Sequence, residues 1–284
     1  MEIEKITGRI AQDLEYLKKF TATPGEGCTR LPFTKEARDA VNYLREIMEE
    51  IGLEVHEDEA GNVIGILRGT DPDAPCVMSG SHYDSVIHGG NYDGIGGVVC
   101  SIEMARQIVE SGMEHKRDLV VVGFNDEEGM RFGTGYFGSG AILGHRDEPY
   151  TEQFKDASGI SIAEAMKEYG LDPAKVGDAA WKEGSIGHFV EAHIEQGPVL
   201  DQKELEIGLV TGIVGIQRYM VTVHGRADHS NGYENGCRRY RIEGNLQNCR
   251  LGTREGRRYG CYRWFHERNP GRNEHRCGES RVHG

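Results

Sequence analysis

Two short apolar runs set the terms on which this chain can fold. CVMSGSH (76–82) and DLVVVGFN (118–125) each have the length and residue types of a buried strand, and between them lies a helix from about Ile95 to Ser111. Strands alternating with helices imply an α/β fold, a layered domain with a largely parallel sheet. In such sheets ligands bind beyond the carboxyl ends of the strands, and both runs break off there into acidic motifs.

The neighbouring segments fit the same plan. An opening helix over roughly 3–20 leads into the loop TATPGEGCTRLPF, after which Thr34 can cap a second helix. Ala37, Val41, Leu44, Met48 and Ile51 fall on one face of that helix, and Gly52 supplies its stop. LEVHED and NVIGILRG read as a hairpin joined at Ala60-Gly61-Asn62. A helix over SIAEAMKEYG, a strand over HFVEAHIEQG, and strand character in LEIGLVTG and IQRYMVTVHG carry the pattern to about Ser230.

Beyond Ser230 the composition changes. Residues 231–284 contain 12 Arg, no Lys, 6 Glu and no Asp, a local charge of +6 that leaves −19 for the rest of a 284-residue chain of net charge −13. Four of the seven cysteines, Cys237, Cys249, Cys261 and Cys277, crowd into this tail without a CxxC pair, so a zinc finger is not indicated. The tail has too few aliphatic residues to build a core. The acidic average argues against nucleic acid as a partner. With no apolar run of membrane-spanning length and a charged start, MEIEKITGRIAQDLEYL, the expectation is a cytoplasmic protein with no membrane partner.

Four motifs carry chemistry. GSHYDSV places His82 and Asp84 two residues apart just after a buried strand; a metal-binding imidazole has its other nitrogen held by a carboxylate or carbonyl, and Asp84 is a candidate for that role. GGNYDGIGG sets Asp93 in a glycine-rich turn at a helix start, where a carboxylate can bridge two cations. FNDEEGMRF lines up Asp126, Glu127 and Glu128 at a strand end, a repulsive arrangement unless a cation or solvent neutralises it. EAHIEQGPVL puts His193 in a strand-like run, where alternation would return Glu195 to the same face. Each also fits a loop, a turn, a solvated cluster or a core histidine; together, at strand ends on one side of a sheet, they supply the ligands for a pair of zinc-like ions. Of two adjacent glutamates, one can bind metal while the other moves a proton. Gly133, Gly135 and Gly138 spell GxGxxG, but NDEEGMRF separates them from the strand, so they read as a turn into a helix.

GSHYDSVIHGGNYDGIGGV, FNDEEGMRFGTGYFGSGAILG and EAHIEQGPVL together resemble the allantoate amidohydrolase and N-carbamoyl-L-amino-acid hydrolase (hydantoinase/carbamoylase) family of di-zinc amidohydrolases, over nearly all of residues 1–230. The resemblance implies a layered α/β/α catalytic domain of the di-zinc exopeptidase type and the start of an inserted α+β lid domain used for dimerisation. It implies hydrolysis of a ureido or amide C–N bond, with two divalent ions, zinc or manganese, cobalt and nickel being further candidates. By the same resemblance His82, Asp93, Glu128 and His193 are metal ligands, Asp93 bridging; Glu127 is the general base; Asp84 orients His82; and Gln196 and His229 contact the substrate or its oxyanion. A metallo-aminopeptidase or acyl-amino-acid deacylase shares this logic but differs around HIEQGP, and a non-catalytic metal-binding remnant is the remaining alternative.

The expected division is a catalytic domain over 1–210, the start of the lid over 211–230, and an atypical tail over 231–284, frameshifted and disordered. The family continues after GRADHS with a GTT-type stretch ending in DA, where this chain reads NGYENGCRRYR. Codons for residues 231–240 exist that, read one base later, give Thr-Ala-Met-Lys-Thr-Asp-Ala-Gly-Asp, which restores the threonine and the DA; sequencing genomic DNA across codons 228–234 tests this. The family's fifth metal ligand, a histidine near its C-terminus, has no counterpart here, so little activity is expected of this polypeptide, and the family's homodimer is in doubt for it.

Overall fold

The computed structural model describes residues 2–213 and, beyond them, the backbone of strands at Val221–His224, His266–Arg268 and Glu274–Cys277. The tail expectation and His229 otherwise lie outside the described residues. The chain divides into two compact units, Met1–Ile207 and Gly208–Gly284.

The first unit is built on a five-stranded sheet. Its strands are β1 (Glu54–Glu57), β2 (Val63–Leu67), β3 (Cys76–His82), β4 (Leu119–Phe124) and β5 (Ile186–Val190), in the order β1-β2-β4-β3-β5. The sheet is mixed rather than largely parallel: β3 runs parallel to β4 and β5, whereas β2 runs antiparallel to β1 and β4. The reason is the hairpin, because β2 leaves the turn after Glu57 reversed and adds to β4 in that direction.

Alternation along the strands explains the two apolar layers. Val63 and Val121 face one core with helices α1 (Glu2–Leu17), α2 (Lys35–Glu50) and α3 (Ile95–Ser111), while Ile64, Val120 and Val122 face a second core with Met78 and Ile142. A strand buried on both faces must be apolar throughout, which is why DLVVVGF lacks alternation. Side chains such as Val98 and Ile102 of α3 are fully buried, each contributing about 1.5–3 kcal/mol. Thr34 caps α2 by accepting from the Ala37 N–H. The other helices are α4 (Phe137–Ile142), α5 (Glu148–Gln153), α6 (Ile162–Tyr169), opened by a capping box of Ser161 and Glu164, and α7 (Val199–Gln202). α4 follows the turn that contains Gly133 and Gly135.

Two strand expectations do not hold. The run HFVEAHIEQG leaves the sheet at Val190, so His193 sits in irregular chain and the alternation argument for Glu195 fails. Glu195 instead accepts from the N–H groups of Val199 and Leu200 at the start of α7. LEIGLVTG forms no strand, and in IQRYMVTVHG the described residues are those of β6 (Val221–His224), which has the expected strand character. In the second unit β6 pairs antiparallel with β8 (Glu274–Cys277), and β8 with β7 (His266–Arg268). Among the described residues no helix is long and apolar enough to cross a membrane.

Candidate metal centre

The carboxyl ends of the parallel strands and the start of α3 converge on one cluster. His82 ends β3, Asp84 follows it, Glu127 and Glu128 follow β4, His193 lies three residues beyond β5, and Asp93 precedes α3. His82 is buried, and its Nδ1 lies 3.0 Å from the Asp84 carbonyl oxygen and 3.6 Å from Asp84 Oδ1. The backbone carbonyl of Asp84 is therefore the nearer partner of the ring. The carboxylate of Asp84 accepts from the N–H groups of Glu127 (3.0 Å) and Glu128 (3.2 Å). A single residue thus ties the histidine turn to the glutamate turn.

The opposite edge of the ring faces the candidate ligands. His82 Nε2 lies 3.6 Å from Asp93 Oδ1 and 3.9 Å from Glu127 Oε2, and His193 Nε2 lies 3.2 Å from the same Asp93 oxygen. His193 Nδ1 is 2.8 Å from the carbonyl of Ile194. Gln196, expected at the substrate, donates to Asp93 Oδ2 at 2.6 Å. Gly94, at φ +65°, makes this approach possible, because a methyl group there would run into the His82 ring.

Electrostatics follow from the crowding. Burial opposes charge on His82, but Asp84 and Asp93 beside it push its pKa up to about 11. His193 and then His82 hold the Asp93 carboxyl far below the usual range. Burial raises both Glu127 and Glu128 above the ordinary carboxylate value, opposed in each case by His82. Asp126 takes another course: fully buried, at φ +52°, it has neither carboxylate oxygen hydrogen-bonded, and burial with Asp84 nearby holds its carboxyl well above the usual range. The like-charge run at 126–128 is thus relieved in part by turning one acid inward.

These residues fit a divalent cation. One ligand atom each from His82, Asp93 and His193 lie within 4.8 Å of one another, as do those of His82, Glu127 and Glu128. Asp93 Oδ1 is buried without a well-directed hydrogen bond, between His82 Nε2 at 3.6 Å and His193 Nε2 at 3.2 Å, a set of donors able to share a cation. Nitrogen and carboxylate donors of this kind suit zinc and similar transition metals.

Sequence reasoning missed three supporting contacts. The Ser81 hydroxyl donates to Glu191 at 2.5 Å, tying β3 to the segment that delivers His193. Asn62 Oδ1 accepts from the Asn125 N–H at 3.0 Å and steadies the glutamate turn. Arg30 binds the backbone beside Asp84. The fully polar or charged character of these residues gave no period or motif to find them by; only the tertiary placement does.

Residues 62–155 match the profile of peptidase family M28, a stretch that holds His82, Asp93, Glu127 and Glu128 but not His193. The N-carbamoyl-L-amino acid amidohydrolase of Geobacillus stearothermophilus is 45% identical over 78% of this chain and 54% of its own length. The allantoate amidohydrolase of Bacillus subtilis is 38% identical over 81% of this chain and 56% of its own. The crystal structure of a hydantoinase/carbamoylase-family amidase from Burkholderia phymatum superposes with a TM-score of 0.67 at 30% identity, over 81% of this chain and 55% of that one. The chain spans about half the length of the relatives it matches. Over that shared half the chain matches the peptidase family M28 profile across residues 62–155 and is similar to the N-carbamoyl-amino-acid and allantoate amidohydrolases and to amidases of the hydantoinase/carbamoylase family.

Proposed function

We propose that this chain carries the catalytic half-site of a metal-dependent amidohydrolase that cleaves a non-peptide C–N bond in a ureido or amide substrate, with allantoate and N-carbamoyl-L-amino acids as the leading candidates. The observation that carries the reading is the buried Asp93 Oδ1 between His82 Nε2 and His193 Nε2, with two glutamates at the rim. His82, Asp93 and His193 would hold one ion, zinc or manganese; Asp93 with Glu128 would serve a second only in a longer chain that supplies the remaining ligand. Bound there, such ions polarise a carbonyl and lower the pKa of water.

The chain's own residues supply the rest. Glu127, with its basicity raised by burial, accepts the proton of the attacking water and delivers it to the leaving nitrogen as the C–N bond breaks. Asp84 fixes both glutamate N–H groups and, through its carbonyl, the His82 ring. Gln196 holds Asp93 and leaves its amide oxygen for a substrate donor. His229 is assigned to the oxyanion on the family resemblance and lies outside the described residues.

The division into a catalytic domain over 1–210 and a lid start over 211–230 belongs to the same proposal, as does the frameshift after Ser230. The polypeptide as it stands should turn over little substrate, whereas the frame-restored product should hydrolyse ureido substrates. The test is to assay both, metal-loaded, on allantoate, N-carbamoyl-L-amino acids, dipeptides and acyl amino acids. The M28 profile favours a second reading, an aminopeptidase or deacylase. Preferential turnover of dipeptides or acyl amino acids would establish that reading and overturn the first.

A further inference from the structure

Arg30 is the largest fully buried side chain in the described residues, 1% exposed, and no carboxylate among them lies within ion-pair distance of it. Its guanidinium spends its donors on carbonyls: Nε on Phe20 (3.1 Å), Nη2 on Leu17 (2.8 Å) and Nη1 on Tyr83 (3.0 Å). Leu17 closes α1, so this contact meets the negative end of a helix dipole. The other contacts reach the metal-bearing turn. The Arg30 N–H donates to Ser85 Oγ at 2.9 Å, and the Arg30 carbonyl accepts from the Ser85 N–H at 3.0 Å.

Residue 30 therefore meets the residues on either side of Asp84, Tyr83 through the guanidinium and Ser85 through its backbone N–H and carbonyl. Asp84 is the junction of the site, holding His82 through its carbonyl and the N–H groups of Glu127 and Glu128 through its carboxylate. Asp84 is itself buried, and burial makes the Arg30 guanidinium less basic, an effect that Cys28 and then Asp84 oppose only in part. A buried charge without a paired carboxylate is strongly unfavourable, and an apolar side chain would fill the same space without that penalty. Capping α1 alone would not need the donor aimed at Tyr83.

We infer that Arg30 is a positioning residue for the metal centre: its guanidinium holds the Tyr83 carbonyl just before Asp84, beside the backbone pairing of residue 30 with Ser85, and so sets the direction of the His82 ring and the Glu127–Glu128 turn. This inference rests on the metal-centre reading above.

The test is cobalt(II) titration of the 284-residue protein, read by visible absorption, on the wild type, Arg30→Lys, Arg30→Met and the remote core variant Leu44→Ala, with Tm measured on each. Arg30→Lys and Arg30→Met should bind cobalt about 10- to 100-fold more weakly with altered ligand-field bands, the lysine variant less affected. Leu44→Ala should lower Tm and leave the cobalt Kd and spectrum unchanged. The inference is overturned if both Arg30 variants bind cobalt like the wild type, or if both fail to fold and so report a structural role. A wild type that takes up no cobalt would overturn the metal-centre reading, and with it this one.

Discussion

Glu127 and Glu128 are adjacent and chemically alike, and their surroundings divide them. Glu127 has Asp84, Glu128 and Glu191 as like-charged neighbours, while Glu128 senses Asp93 and His193 across the cluster. The proposed division of labour follows that difference, with Glu128 as the metal ligand and Glu127 as the proton carrier. In any form of the protein that turns over a ureido substrate, Glu127→Gln should lower kcat by about 10²- to 10⁴-fold while bound metal is retained, and Glu128→Gln should lower the metal content. Metal analysis beside kinetics checks this; metal loss from Glu127→Gln with retention in Glu128→Gln would reverse the assignment. The motif residues themselves were readable because His, Asp and Glu at strand ends stand out against apolar runs. The contacts that orient them were not, since a backbone carbonyl such as that of Asp84 leaves no mark in a sequence.

At the scale of elements, turns do as much as strands to aim the site. Asp58, in the β1–β2 turn, accepts from Ala60 N, Asn62 N and Asn62 Nδ2, and Asn62 in turn accepts from the Asn125 N–H below the glutamates. Burial outweighs those hydrogen bonds and pushes the Asp58 carboxyl up to about 6. Its folded pKa thus exceeds its unfolded value near 3.8, so the folded chain binds the extra proton between them. Stability from this group is full below about pH 4 and falls as pH rises through 6, by about 2–3 kcal/mol. Denaturant midpoints of the wild type and Asp58→Asn between pH 4 and 7 check the sign; a difference that is constant with pH would contradict it.

The same scale shows what sequence patterns can carry. The limits of α3 and β3 and the Thr34 cap were legible because burial on a face, or on both faces, writes a period or an unbroken apolar run. The direction of β2 was not, because pairing depends on which edge the hairpin joins. Nor was the end of β5. HFVEAHIEQG keeps a strand-like pattern, yet after Val190 the chain turns toward the start of α3, where Gly97 leaves room for the Ala192 carbonyl and Ser81 holds Glu191. His193 reaches Asp93 by that departure and not by strand alternation.

For the whole molecule, the chain shares about half the length of its relatives, and the proposed centre draws on the ligands of that half alone. A site with His82, Asp93 and His193 in place should hold one ion without completing a two-ion centre. The most direct measurement is zinc titration of the purified 284-residue protein by calorimetry, with His193→Ala and Asp93→Ala alongside. One equivalent should bind the wild type, and either substitution should weaken binding by about 100-fold or more, as loss of a direct ligand does to a three-residue site. Absence of binding, or binding that both substitutions leave unchanged, would contradict a metal centre at these residues.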